Sequence, residues 1–135
     1  MDVHDGQRRR RRILAADIGG TNSRLALYDE EERQFRSVSG FSNCDYQSLA
    51  DVIRQWRSQL DEPWPTTACI AAAAPPSGDQ VSMINIGWSF SLKEMAREFG
   101  FRQLAWLNDF QANAHALPHL GPADLQLIHA GRETE

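Results

Sequence analysis

Gly19 and Gly20 stand between two short strand-like runs, Ile13–Ile18 and Ser23–Tyr28. This constrains the fold more than any other feature of the sequence. A strand follows the glycines, not a helix, so the stretch is not a dinucleotide-binding fingerprint. No Gly-Lys-Ser/Thr follows, so it is not a Walker A loop either. What remains is a tight turn joining two antiparallel strands. The turn admits two readings. It is a plain Gly-Gly hairpin, or its glycines take positive φ and bring the backbone close to a ligand. In the second reading its amides hold phosphate oxygens, and Asp17 offers a hard oxygen to Mg²⁺, directly or through water.

The rest of the pattern extends this start into an α/β domain. Leu25 and Leu27 alternate with Arg24 and Ala26, and Gln34–Phe41 gives a third strand, completing an antiparallel meander. Tyr46, Leu49, Ala50, Ile53, Trp56 and Leu60 recur at helical spacing. Asn43 or Asp45 can cap that helix, and Pro63-Trp64-Pro65 ends it. Thr67–Ala73 is a buried strand and Gln80–Ile86 a further one. Ser91-Leu92-Lys93-Glu94 has the spacing of a capping box, and Phe90 can pack on Met95 as a staple. Gly100 closes that helix in the left-handed conformation. Leu104–Leu107 is another buried strand, a short helix follows Asn108-Asp109 and stops near Pro118, and Leu125–Ile128 offers one more strand. The order predicts a mixed sheet, three strands antiparallel and the later ones parallel, with helices between.

Composition sets the partners. The chain of 135 residues is 41% hydrophobic and 24% charged, which suits one globular domain. Residues 1–12 carry five arginines against two aspartates and show no apolar periodicity, so they are expected as a disordered tail. The remaining residues carry nine basic and sixteen acidic side chains. An acidic body argues against nucleic acid as the main partner. No aromatic interleaves Arg8–Arg12 to stack on bases. No apolar run approaches a membrane span. The region after Arg12 is too short and too charged for a signal peptide. Cys44 and Cys69 form no paired motif, which fits a reducing cytoplasm.

Three further stretches carry possible chemistry. Asp109, at the end of a buried strand, can accept a proton from an attacking hydroxyl, or it can simply cap the next helix. Asn108 beside it offers a donor and an acceptor suited to a sugar hydroxyl. Asn85 can bind a polyol with Trp88 as a wall, or the two are a turn residue and a core residue. His115 and His119 make a poor zinc pair, because Pro118 interrupts their helix. Cys69 reads as inert core.

Taken together these segments resemble the bacterial glucokinases, of the sugar kinase–actin–chaperone ATPase superfamily. Leu14 to Leu27 resembles the family's first phosphate motif. Cys69-Ile70-Ala71-Ala72-Ala73-Ala74-Pro75 with Gly78-Asp79 resembles its next strand and turn. Asn85-x-x-Trp88-x-Phe90-Ser91 resembles its sugar-side loop, and Leu107-Asn108-Asp109-Phe110 with Ala112, Ala116, Leu117 and Pro118 its catalytic segment. The resemblance runs from about Ile13 to Gly131. It implies a ribonuclease-H-like (actin-like ATPase) fold and phosphoryl transfer from ATP to the 6-hydroxyl of glucose. Asp109 is then the base, and Asn108, Asp109 and Asn85 touch the sugar. Ala16, Asp17, Ile18, Gly19, Gly20, Thr21 and Asn22 face ATP, with Asp17 near Mg²⁺. Ala16 stands where glycine is common, and Ile84 and Ile86 replace more polar residues beside Asn85. The family enzyme is well over twice as long, so residues 13–135 correspond to its amino-terminal lobe. Such a lobe alone is expected to be inactive and to self-associate through the surface its partner lobe would cover. The alternatives are a kinase for another hexose or amino sugar, or a non-catalytic sugar-binding regulatory remnant.

Overall fold

The computed structural model describes residues 11–75, 78–126 and 128. Strand β1 (Arg12–Ile18) pairs antiparallel with β2 (Asn22–Asp29), which pairs antiparallel with β3 (Gln34–Ser42). On its other side β1 pairs in parallel with β4 (Thr67–Ala72), and β4 in parallel with β7 (Gln103–Asn108). The sheet order is therefore β3-β2-β1-β4-β7. Helices α1 (Leu49–Ser58) and α2 (Leu92–Phe99) lie between strands in sequence, and α3 (Asp109–Ala116) follows β7 directly. The expected mixed sheet is present, and through α3 its strands and helices follow the expected order apart from the added strand β6.

Alternation along the strands decides which face is buried. Leu14, Ala16, Ile18, Leu25, Leu27, Ala68, Ile70 and Ala72 point into one core with Leu49, Val52, Ile53 and Trp56 of α1 and Met95 and Phe99 of α2. Residues of the opposite parity, Ala15, Cys69 and Ala71, are only half-buried, and Asp17 and Ala105 are exposed. Ala26 is buried too, although alternation assigned it to the outer face. An aromatic cluster closes the amino edge of the parallel strands. Trp64 stacks on Phe101 at 5.8 Å, meets Trp56 edge-on at 6.0 Å, and donates from Nε1 to Phe99 O at 2.7 Å.

Several sequence expectations are corrected. Arg12 is not tail: it opens β1, and its guanidinium lies 2.5 Å from Glu62 and 3.6 Å from buried Asp29. Arg8 to Arg10 fall outside the described residues. Helix α1 is capped by Ser48, whose hydroxyl accepts from Asp51 N at 3.2 Å, and not by Asn43 or Asp45. It ends at Ser58, ahead of Pro63-Trp64-Pro65. The expected strand Gln80–Ile86 is shorter. β5 (Gln80–Ser82) folds back on β6 (Ser89–Ser91), because the backbone turns over Ile84 to Ile86 and Gly87 sits at φ 62°. Leu125, Gln126 and Ile128 are not in a strand.

Ser91 does cap α2, accepting from Glu94 N at 3.2 Å, and Gly100 ends it at φ 72°. The partner that completes the cap is Asp79, however, not Glu94. Asp79 accepts from the Ser91 hydroxyl at 2.5 Å and from Lys93 N at 2.9 Å, and its own carbonyl accepts from Leu92 N. One carboxylate thereby ties the loop after β4 to the start of α2. The hydroxyl of Ser91, then the Lys93 N–H, hold the Asp79 carboxyl below its ordinary range. Asp29 is lowered by the Glu32 N–H, then by the Glu31 N–H and the charge of Arg12, with burial opposing.

For both groups the folded state binds a proton less readily than the unfolded chain, whose carboxyls titrate near 3.8. Their contribution is complete above that value and is lost as pH falls through the lowered folded values. The thermal midpoint should be flat down to about pH 5 and fall below about pH 4. Asp79→Asn should melt lower at pH 7 and show a shallower acid limb in scanning calorimetry.

Candidate functional site

The parallel strands end together. Ile18 of β1, Ala72 of β4 and Asn108 of β7 are in register across the sheet. The Gly19-Gly20-Thr21 turn and the Asn108-Asp109 step therefore leave the same carboxyl edge, separated by one strand, or roughly 10 Å. Ligands of open α/β sheets gather at such an edge. Two hydrogen bonds stitch the three ends: Ala73 N donates to Ile18 O at 3.1 Å, and Asn108 Nδ2 donates to Ala74 O at 2.7 Å. The small side chains of Ala71 to Ala74 leave room for that approach.

The glycine turn differs from expectation in one respect. Neither Gly19 nor Gly20 has positive φ. Both glycines sit in close contact instead. A Cβ on Gly19 would meet Asn22 O at 3.1 Å, and one on Gly20 would meet the Asn85 Cβ at 3.1 Å. Asn85 thus lies directly over the turn, which brings together two segments singled out separately in the sequence. Within the turn Gly19 N donates to Asn22 O at 2.9 Å. The N–H groups of Gly20 and Thr21 meet no acceptor among the described residues. A cleft of about 340 Å³ opens beside them, lined by Gly20, Thr21, Asn43, Cys44, Tyr46, Ile86 and Trp88. Asn108 and Asp109 do not line it.

The sequence offers Asn43 only as a helix cap. The structure places it behind the turn, 4% exposed. Its Oδ1 accepts from the Ser23 hydroxyl at 2.6 Å, its Nδ2 donates to Gly19 O at 2.8 Å, and its backbone N donates to Thr21 O at 2.9 Å. No local pattern signals this role, since the partners lie about twenty residues away.

At the end of β7 it is Asn108, not Asp109, that caps α3. Asn108 Oδ1 accepts from Phe110 N at 2.9 Å, and Gln111 Oε1 accepts from Asn108 N at 3.0 Å. Asp109 is the first helical residue, half-exposed. Its Oδ1 also accepts from Phe110 N at 2.9 Å, and its Oδ2 has no partner among the described residues. Asp17, on the outer face of β1, is exposed, and its carboxylate has no hydrogen bond among the described residues. No group of three His, Cys, Asp or Glu side chains is gathered for a metal among the described residues. One free carboxylate is still enough for Mg²⁺, which keeps most of its waters and takes phosphate oxygens as ligands. Burial pushes the Cys69 thiol up, away from reactivity.

A family model described as Glucokinase matches residues 14–135. The chain belongs to the glucokinase family. It is 39% identical over 121 residues to a glucokinase of Chromohalobacter salexigens, covering 90% of this chain and 37% of that protein. A glucokinase of Psychromonas ingrahamii is 43% identical over 122 residues, 87% of this chain and 36% of its own length. The crystal structure of a glucokinase from an Antarctic psychrotroph superposes with a TM-score of 0.76 at 39% identity, over 92% of this chain and 40% of that one. These neighbours carry the actin-like ATPase fold that the sequence led us to expect. The chain spans little more than a third of the length of the relatives it matches.

The Gly20–Asn85 contact gives a direct test. Gly20→Ala should destabilise the domain by about 1–3 kcal/mol through overpacking. Asn85→Gly in the same chain should restore part of that loss, seen as a coupling energy in a denaturation double-mutant cycle.

Proposed function

We propose that residues 13–135 form the amino-terminal lobe of an ATP-dependent glucokinase acting on glucose or a related hexose. The observation that carries this reading is the shared carboxyl edge, where in-register Ile18 and Asn108 bring the glycine turn and Asp109 to one side of the sheet. The residue chemistry supports it. The Oδ2 of Asp109 is available to take the proton of the sugar 6-hydroxyl as that oxygen attacks the γ-phosphorus. The new O–P bond forms as the bond to the ADP oxygen breaks. Asn108 keeps one N–H beyond its bond to Ala74 O, enough to donate to a sugar hydroxyl. The Gly20 and Thr21 N–H groups face the phosphates as donors, whereas Ala16 and Ile18, expected on the same ligand, turn their side chains into the core. Asp17 is the residue to hold Mg²⁺, through water; the ion when bound neutralises phosphate charge. Asn85 sits where it can meet the sugar side. A cytoplasmic setting goes with this reading, since both cysteines are free. No helix among the described residues is long and apolar enough to cross a membrane.

Phosphoryl transfer requires a closed, dry site. We expect no turnover from this chain alone. The decisive assay measures glucose 6-phosphate from glucose and Mg-ATP. A hybrid in which this chain is followed by the remaining length of the Chromohalobacter salexigens relative should be active. Asp109→Asn in the hybrid should lower kcat by about 10²- to 10⁴-fold. An unchanged rate in that variant removes Asp109 as the base, and full activity from the unjoined chain removes the lobe reading.

Beyond β7 the described residues bury little. No residue of α3 is buried, and Phe110, Leu117, Leu125 and Ile128 are all more than 60% exposed. Such apolar surface should drive concentration-dependent self-association of the lone chain. Sedimentation velocity should show it; a single compact monomer at high concentration would speak against it.

A further inference from the structure

We infer that Asn43 is a positioning residue for phosphate binding: it fixes the direction of the free Gly20 N–H in the Gly19-Gly20-Thr21 turn. The inference rests on the phosphate reading of that turn given above. A turn built on two glycines has little side-chain packing to hold its shape, and glycine loses the most conformational freedom on ordering. Asn43 supplies the missing restraint. It donates to the carbonyls on both sides of Gly20, with its side chain to Gly19 O and its backbone to Thr21 O. In a trans peptide the N–H points opposite to the preceding C=O. Anchoring Gly19 O on Asn43 therefore turns the Gly20 N–H away from Asn43, where it remains without an acceptor among the described residues.

The Asn43 amide cannot rotate to an alternative. Gly19 O only accepts, so Nδ2 must face it, and Oδ1 is left for the Ser23 hydroxyl at 2.6 Å. Ser23 is itself 1% exposed and belongs to β2. The turn is thus referenced to the sheet through a buried Ser23–Asn43–Gly19 relay. Ser23, Asn43 and Asp29 are the buried polar residues of the described chain. Two of the three serve one exposed turn. Burying polar groups is costly unless they are paired, and a simple hairpin would form without them.

The test is a titration of the ¹⁵N-labelled chain with Mg-ATP and, separately, with inorganic tripolyphosphate. The Gly20 and Thr21 amide resonances of the wild-type chain should move with both probes. Asn43→Ala should weaken tripolyphosphate binding roughly five- to tenfold, the range of one or two lost hydrogen bonds. Resonances of β4, α1 and α2 should stay in place, which a merely structural role would not give. Ser23→Ala keeps the Gly19 bond but frees the amide, and should weaken binding about two- to fivefold; it decides the matter if Asn43→Ala does not fold. Wild-type affinity in both variants overturns the positioning role while leaving the phosphate reading intact. Turn resonances that ignore both probes in the wild-type chain overturn the phosphate reading, and this inference falls with it.

Discussion

The parallel register of β1, β4 and β7 is the constraint on which the rest of the domain depends. It aligns Ile18, Ala72 and Asn108 at one edge and leaves the opposite edge to Trp64, Phe99 and Phe101. A slip of one residue would exchange the two faces of a strand. In β4 it would turn Ala68, Ile70 and Ala72 out of the core and put Cys69 and Ala71 in their place. Asn108 would then no longer reach Ala74 O. Packing of the core and placement of the site are consequences of the same pairing.

The polar interior has two parts with different purposes. Asp29 gathers the Glu31 and Glu32 N–H groups and the Arg12 charge at the far end of the β1–β2 hairpin. That arrangement closes a turn remote from the site. Ser23 and Asn43 act at the other end, next to the glycines. Asp79 does comparable work near the surface, where it joins the loop after β4 to the cap of α2. In each case a side chain supplies backbone partners that the sheet and helices leave open.

Much of this was legible in the sequence, for identifiable reasons. Leu49, Ile53 and Trp56 repeat at helical spacing, and their burial follows. Ser91 and Gly100 mark helix ends through local chemistry, so they could be placed without tertiary knowledge. What escaped was set by contacts between distant residues. Asn43 looks like a cap because asparagine caps helices, yet Ser48 lies nearer the first turn and Asn43 is drawn to Ser23 and Gly19. Glu94 has capping-box spacing, but Asp79, from another loop, already takes the Ser91 hydroxyl. Gln80–Ile86 reads as one strand, because nothing local announces that the backbone turns at Ile84 to Ile86. The two glycines were correctly marked, but for positive φ when the cause is the proximity of Asn22 O and the Asn85 side chain. Around the candidate site, residue type and order single out Asp109 and the turn, whereas the Asn108 cap and the Asn43 contacts follow only from the structure.

The order β3-β2-β1-β4-β7 also governs how such a chain can come to be folded. β1 is made first and stands in the centre. β2 adds to it and β3 adds to β2 on one flank; β4 and then β7 extend the other. Each strand therefore finds its template already synthesised, and no strand must be inserted between two others. A chain emerging from the ribosome at about 5–20 residues per second can assemble this sheet outward in step with its own synthesis. Among the described strands β7 is the last to arrive, and it brings Asp109 to the same edge as a glycine turn already formed by the first hairpin.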